Sequence, residues 1–479
     1  MISRRRFVQS SMTAALIPLL PKAVLTASAA GSGDTPAIRQ SWEEFAQGPH
    51  LQPFIDAIGS MRDNKDETDP NSWYYWIKTH QDHCPHRKPY FLAWHRGLLK
   101  RFEGRLRRVS GIADFQLPYW NYYANPQVPA AFLVDHSPLW RNKRTSSDVT
   151  DALSLAPFAD DVTNFERGLE DAFEPTLETA PHNPVHNLIG GAMSNITFSP
   201  ADPLFYVHHA NIDRLWAAWS AAGNGREMPP ENDPYWQGDN LDYGPAIRSM
   251  PKVWTYSTTS TFLGYAYDDE TMPASLPSYP ASMARPASQP VQLLSPAHLD
   301  ATTKQLGGTG QFALDEQSTT FDIPMPASSA NHIRSLMIGK SSATRNGGPL
   351  ELVLENVRLT GLGEEGGFFY KVFLNLPASG SAIRRERDYL LGMIGPFEIS
   401  VAQMSARMAA GKPMHGSMDA HAKGPVQATM RFPVMESLRR IWPANLDKLS
   451  VSLVRVGRQG RAGRVIVVDR MRLEASEPR

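Results

Sequence analysis

At 479 residues and 42% hydrophobic, the chain can bury a large core, and its length favours two domains or more. Lys plus Arg and Asp plus Glu each number 48, so the basic excess of a nucleic-acid binder is missing. Collagen, coiled-coil and disordered classes are excluded by composition, and the body of the chain has no apolar run long enough for a membrane-spanning helix.

Residues 1–29 read as an export address. Ser3-Arg4-Arg5-Arg6-Phe7 fits a twin-arginine signal, followed by an apolar run from Ala14 to Leu20 and the small-residue end Ala27-Ser28-Ala29. The expected location is therefore periplasmic or secreted, free of the membrane once the signal is removed. Removal takes away Arg4, Arg5, Arg6 and Lys22 and no acid, leaving 44 basic against 48 acidic residues, a net −4. Cys84 is the single cysteine, so there is no internal disulfide and stability must come from packing.

Residues 30–72 form a polar lead-in with an amphipathic segment from about Trp42 to Ile58. Trp73, Trp76, Ile77 and His80 then share a helical face. After a break at Pro85 to Pro89, the run FLAWHRGLLKRFEGRLRR sets His95, Leu98, Leu99, Phe102 and Leu106 at spacings of three and four. Residues 115–165 are loop-rich. The stretch from Pro181 to Trp219 follows, with His182 and His186 one above the other on a helix and His208-His209 on the next. Asp202 is a good N-cap for that second helix and Pro203 suits its first position, while Ile212, Leu215, Trp216 and Trp219 give it a buried stripe. These features define a first domain over residues 30–272. Residues 273–320, opening with MPASLPSYPASMARPASQP, read as a semi-extended linker. Beyond it, in 321–479, the period changes to two, as in FFYKVFLNLP, KLSVSLVRV and GRVIVVDRMRL. The expected architecture is a mainly α domain joined to an all-β sandwich.

Two tight groups hold eight of the fourteen histidines: His80, His83, His86 and His95, then His182, His186, His208 and His209. One buried histidine is usually a satisfied core residue; eight on apolar helical faces point to metal. Di-iron sites use Glu and Glu-x-x-His pairs, and no carboxylate stands at ligand spacing in these helices. Two-metal hydrolases need bridging oxygens. Zinc would be served by one cluster. Two clusters of about three neutral imidazoles suit two copper ions, which can take up dioxygen between them.

Cys84-Pro85-His86 with Phe91-Leu92-Ala93-Trp94-His95-Arg96, and His182-Asn183-x-x-His186 with the run from Asp202 to Arg214, resemble the two copper motifs of the type-3 copper family, that of tyrosinases, catechol oxidases and haemocyanins. The likeness runs from about residue 40 to Tyr267. It implies a four-helix-bundle dicopper core, with His80, His86 and His95 on one copper and His182, His186 and His209 on the other. His80 is preferred to His83 because the family often shows H-x-x-x-C. His208 and Asp213 would stand behind the ligands. Cys84 is either a buried thiol or, as in many members, thioether-bonded to His86. Glu178 and Asn183 match a pair that holds a basic water; otherwise they are a helix N-terminal acid and a first-turn residue. Ile196 falls at the gate over the second copper, where an aliphatic leaves the mouth open, or it packs in its loop. Phe205 lies against a ligand ring or in the core. Tyr265-Ala266-Tyr267 resembles a tyrosine pair that anchors the end of the catalytic domain.

The second domain resembles, at pattern level, the C-terminal domain of plant polyphenol oxidases, which implies a shield over the copper mouth; a stabilising domain is the other reading. Met404, Met408, Met414, His415, Met418 and His421 form either a flexible loop or a copper-loading site, which would bring a copper-delivery protein as a partner. The resemblance implies a dicopper polyphenol oxidase acting with O2 on small phenols. The rivals are a catechol or o-aminophenol oxidase without monophenolase activity, and a haemocyanin-like O2 binder.

Overall fold

Aromatic residues at helical spacing decide how the first domain assembles. The computed structural model describes residues 36–278, 285–300, 302–338, 350–377, 386–409, 428–457 and 462–476. The export address and Met414, His415, Met418 and His421 lie outside the described residues. A strand β1 (Ala37–Arg39) leads to helices α1 (Leu51–Asp63), α2 (Trp73–His83), α3 (Phe91–Ser110), α4 (Asn183–Ile189) and α5 (Leu204–Ala221), and then to strand β2 (Tyr265–Tyr267). Trp73 on α2 meets the rings of Phe102 on α3 and Tyr206 on α5 edge-on at 5.7 and 5.2 Å, and Phe102 stacks on Tyr206 at 3.7 Å. Such pairs add about 0.5–1.5 kcal/mol each beyond area burial. The expected stripe Ile212, Leu215, Trp216 and Trp219 is fully buried. Helix α5 begins at Leu204, one residue later than the Asp202–Pro203 signature suggests, and the Asp202 carboxylate accepts the Leu204 N–H at 2.9 Å.

Strands β1 and β2 pair in parallel, Ala37 to Tyr265 and Arg39 to Tyr267, which brings the two ends of the helical domain together. Between α3 and α4 the chain runs as loops and single 3-10 turns until a short helix, Phe173–Leu177, and a π turn, Glu178–His182, lead into α4; from α5 to β2 it runs as loops and single 3-10 turns again.

The second domain is a sandwich. One sheet orders Leu390–Ile394, Phe369–Leu374, Lys448–Val456 and Thr319–Pro324, all antiparallel. The other is eight-stranded, built around Leu350–Leu359 and Arg470–Ser476. Tyr370, Val372, Leu374, Val451 and Leu453 from the first share a core with Leu352, Leu354, Met471 and Leu473 from the second. Helices Ala327–Ile338, α6 (Pro396–Ala409) and Met435–Ile441 accompany the strands.

The linker is shorter than residues 273–320. Leu293–Leu294, Ala297–His298, Thr303–Thr309 and Phe312–Leu314 are strands of the larger sheet. Thr303–Thr309 shows no alternation because Gly307 and Gly308 stand where side chains would. A Cβ on Gly307 would meet Met325 at 2.8 Å and one on Gly308 the Met471 carbonyl at 2.4 Å. Close approach of a side chain at Gly307 and of backbone at Gly308 thus replaced the period-two signal.

The outward face of Phe369–Leu374 is covered too, Phe369 joining the core of the helical domain. Asn187, directly after His186, fixes the two domains together. Its carbonyl accepts the Gly367 N–H at 2.8 Å, its Oδ1 accepts the Phe397 N–H at 2.9 Å, and its Nδ2 donates to Glu398 at 2.8 Å. Gly395 must be glycine here, since a Cβ would fall 2.5 Å from the Asn187 side chain. Arg387 forks onto Asp161 at 2.5 and 2.6 Å, and Arg440 reaches Asp171 at 3.2 Å.

Candidate metal centre

Helix α2 ends at Cys84, whose N–H bonds the His80 carbonyl at 3.2 Å, so His80 sits in the last turn and His86 just beyond it. Their Nε2 atoms lie 3.3 Å apart. His95, one turn into α3, donates from Nδ1 to the Phe91 carbonyl at 2.8 Å. The ligand atoms of His80, Cys84, His86 and His95 lie within 4.8 Å of one another, all buried. His83 turns away: its side chain is 25% exposed and faces Asp242 at 3.3 Å.

His182 stands at the start of α4 and His186 one turn on, with ring centroids 4.6 Å apart. His209 on α5 brings its Nε2 to 3.3 Å from that of His182. His182, His186, His208 and His209 form the second buried group. The two groups adjoin: the rings of His95 and His209 stack at 4.1 Å and those of His86 and His182 are 5.7 Å apart.

The donors fit metal. His95, His182 and His186 give their Nδ1 hydrogens to the Phe91 carbonyl, the Asn183 Oδ1 (2.7 Å) and the Met193 carbonyl (2.8 Å), which leaves each Nε2 a lone pair. Two bonds of about 2.0 Å at a tetrahedral angle separate ligand nitrogens by about 3.3 Å, the spacing found in both groups. The His186 Nε2 has no protein partner. Burial first, and the neighbouring imidazoles second, hold His80, His95, His182, His186 and His209 well below the ordinary histidine range, so these rings are neutral donors. His208 is pushed down to about 3 by burial, stacks on His182 at 5.3 Å and has neither ring nitrogen bonded to protein.

Around the donors the predicted residues divide by task. Glu178 is buried; one oxygen accepts the Arg87 N–H at 2.8 Å and lies 3.4 Å from His86 Nδ1, and the other pairs with Arg167. Burial opposes its ionisation, but Arg167 and His86 outweigh that and keep it below the ordinary carboxylate range. Asn183 bonds His182. Asp213 holds Arg96 at 2.5 Å and accepts the Tyr265 and Tyr267 hydroxyls at 2.6 Å each. It therefore ties β2 to the helix carrying His95. Cys84 has its Sγ 3.5 Å from His95 Nε2, and burial raises its thiol well above the usual range.

Phe205 lies under the donors, 5.2 Å from the His80 ring and 4.2 Å from that of His209. Ile196 does not border an open mouth. It is buried against Phe397 and Val401 of α6, and its N–H donates to Ser400 at 3.0 Å. The aliphatic leaves room, and the second domain fills it. The Phe397 ring stacks on His186 at 4.3 Å and 20°, and lies 5.3 Å from His86 and 5.7 Å from His182.

A sequence model described as the common central domain of tyrosinase matches residues 70–140 and 132–222, the segments that carry every ligand. Over that stretch the chain resembles the type-3 copper family of tyrosinases and polyphenol oxidases. Its two buried histidine groups are placed for the dicopper centre of that family. The tyrosinase HcTyr1 of Hahella sp. (strain CCB-MM4) is 29% identical, over 50% of this chain and 64% of that one. A chloroplastic polyphenol oxidase of Spinacia oleracea is 26% identical, over 49% and 47%. The chain thus spans less than two thirds of these relatives. Latent apple tyrosinase shares the fold, with a TM-score of 0.50 at 16% identity over 93% of this chain and 98% of that one.

Sequence reasoning missed Phe397, Glu398, Ser400, Asn187 and Arg167. None has a local signal. Phe397 opens an ordinary amphipathic helix two hundred residues from the ligands it covers.

Proposed function

We propose that this chain is a polyphenol oxidase that uses dioxygen to hydroxylate monophenols to o-diphenols and to oxidise those to o-quinones, held latent by its C-terminal domain. The observation that carries the reading is Phe397, a flat ring stacked on His186 where a flat phenol would have to lie. Two copper ions bound by His80, His86 and His95 and by His182, His186 and His209 would supply the electrons for dioxygen reduction. The protein's own part is to keep those imidazoles aimed and to exclude bulk water. A phenol of pKa near 10 must shed its proton before its ring is attacked. Glu178, kept ionised by Arg167, retains a free lone pair, and with Asn183 it would hold the water that takes this proton. A Cys84–His86 thioether would fix one ring further; it predicts a mature mass lower by two hydrogens and no alkylatable thiol. Export by the twin-arginine route would follow metal uptake in the cytoplasm.

Copper-loaded chain should consume oxygen with catechol and tyramine after the connection near residues 273–292 is cut, and far less before. Absence of oxygen uptake with catechol in cut, copper-replete protein would defeat the proposal. Turnover of catechol but not tyramine would leave a catechol oxidase. The covered mouth also favours a haemocyanin-like carrier, which would bind oxygen reversibly and turn over neither phenol after cutting.

A further inference from the structure

A cavity of about 920 Å³ opens between α1, α2 and the loops around Trp140 and Phe198. None of the six ligand histidines lines it. Its walls include Arg62, Tyr74, Trp140, Arg141 and Phe198, with Lys65 at the rim. The size lies in the range of small-molecule sites.

Charge is unbalanced there. Three guanidinium groups, those of Arg62, Arg141 and Arg144, gather round one buried carboxylate, Asp202, and Arg144 takes both its oxygens at 2.8 and 2.6 Å. Arg62 donates to the Pro138 carbonyl and Arg141 to the Ala201 carbonyl at 2.5 Å. Among the described residues neither forms a salt bridge with a carboxylate. Burial, and then the charge of Arg62, push Arg141 down to about 10, the mark of a cation desolvated beside another cation. Asp63 and Glu67 stand exposed at the edge, where solvent screens them. Lys65 adds a positive charge, donating to the Arg62 carbonyl at 2.6 Å and to the Tyr74 hydroxyl at 3.3 Å.

The remaining wall is aromatic. Phe198 is 40% exposed for a phenylalanine whose neighbours in the loop are largely covered. A bare inorganic anion would satisfy the two arginines and leave these rings wet. We propose that the cleft binds an aromatic carboxylate, its carboxylate held between Arg62 and Arg141 and its ring laid against Trp140 and Phe198. Guanidinium forks match carboxylates in geometry as well as charge. No copper chemistry enters this binding, so it stands whether or not the proposed oxidase activity does.

Calorimetric titration of 2-naphthoate into the copper-loaded full chain tests it, with 2-naphthamide and sulfate as companion probes. The acid should occupy one site per chain. Arg141→Gln and Arg62→Gln should each weaken it about tenfold, the usual effect of losing a charge-assisted bond. Arg141→Lys, keeping charge without the fork, should fall between. The neutral amide and sulfate should both bind more weakly than the acid. These variants should keep cooperative thermal unfolding and, in cut protein, the wild-type oxygen uptake with catechol, which shows that the fold is intact. Equal naphthoate affinity in wild type and both glutamine variants would overturn the proposal, as would sulfate binding as tightly as the aromatic acid.

Discussion

Removing the Phe397 ring is the sharpest perturbation of the proposed latency. The side chain is fully buried, stacked on His186 and within 5.7 Å of the His86 and His182 rings. Truncating a buried Phe to Ala costs about 3–5 kcal/mol. In Phe397→Ala that loss falls on the docking of α6 over the donors rather than on the sandwich core, because Phe397 packs with Ile196 and Val401 and not with the sheet residues. At 1.4 kcal/mol per tenfold, a loss of about 3 kcal/mol raises the open population about a hundredfold. The assay is the initial rate of catechol oxidation by copper-loaded protein, uncut and cut. Uncut Phe397→Ala should approach the rate of cut wild type, while Phe397→Leu, which keeps most of the volume, should stay slow. If uncut Phe397→Ala is as slow as uncut wild type while cutting still accelerates both, the ring is not what closes the site.

Glu398 gives the docking a pH dependence. Burial raises its carboxyl above the ordinary value of 4.5, and one of its oxygens has no hydrogen-bond partner. The docked form therefore favours the protonated acid, so docking is strongest below 4.5 and weakens as pH rises through the higher docked value. The ratio of uncut to cut activity should climb with pH in wild type and stay level in Glu398→Gln. Glu174, buried and pushed up to about 8 by burial, acts on overall stability with the same sign, its contribution being lost as pH rises from 4.5 towards 8. Glu174→Gln should flatten the fall of the unfolding midpoint over that window; an unchanged slope would refute the assignment. Asp213→Asn leaves Arg96 and Arg39 buried without their shared charge and should cost about 3–5 kcal/mol, read by denaturant unfolding. A loss under about 1 kcal/mol would show that the tyrosine hydroxyls alone hold that corner.

Much of the centre was legible because its donors lie on helices with plain periodicity. His95, His182, His186 and His209 occupy buried positions set by spacings of three and four, and proline and aspartate mark the start of α5. His80 and His83 were separable only by likeness to other proteins; the structure adds the physical reason, that His83 faces solvent and Asp242. Glu178 and Asn183 were named for a shared water, but their contacts also aim His86 and His182. What could not be read was long-range. Gly307 and Gly308 hide a strand because the Met325 and Ile323 side chains fill the space at the first and the Met471 carbonyl the space at the second. Ile196 was read as a gate, and its cover comes from residues two hundred positions away.

The parallel contact of Ala37–Arg39 with Tyr265–Tyr267 has a consequence for how the molecule can be divided. Arg39 reaches Glu103 and Asp213, and both tyrosines rest on the same Asp213, so first and last segments are buckled to one acid beneath the helix of His95. A protease acting after Asp268 leaves that buckle fastened. The helical half can shed its companion without fraying at either terminus, and a gene fragment ending shortly beyond Tyr267 should yield a self-standing product.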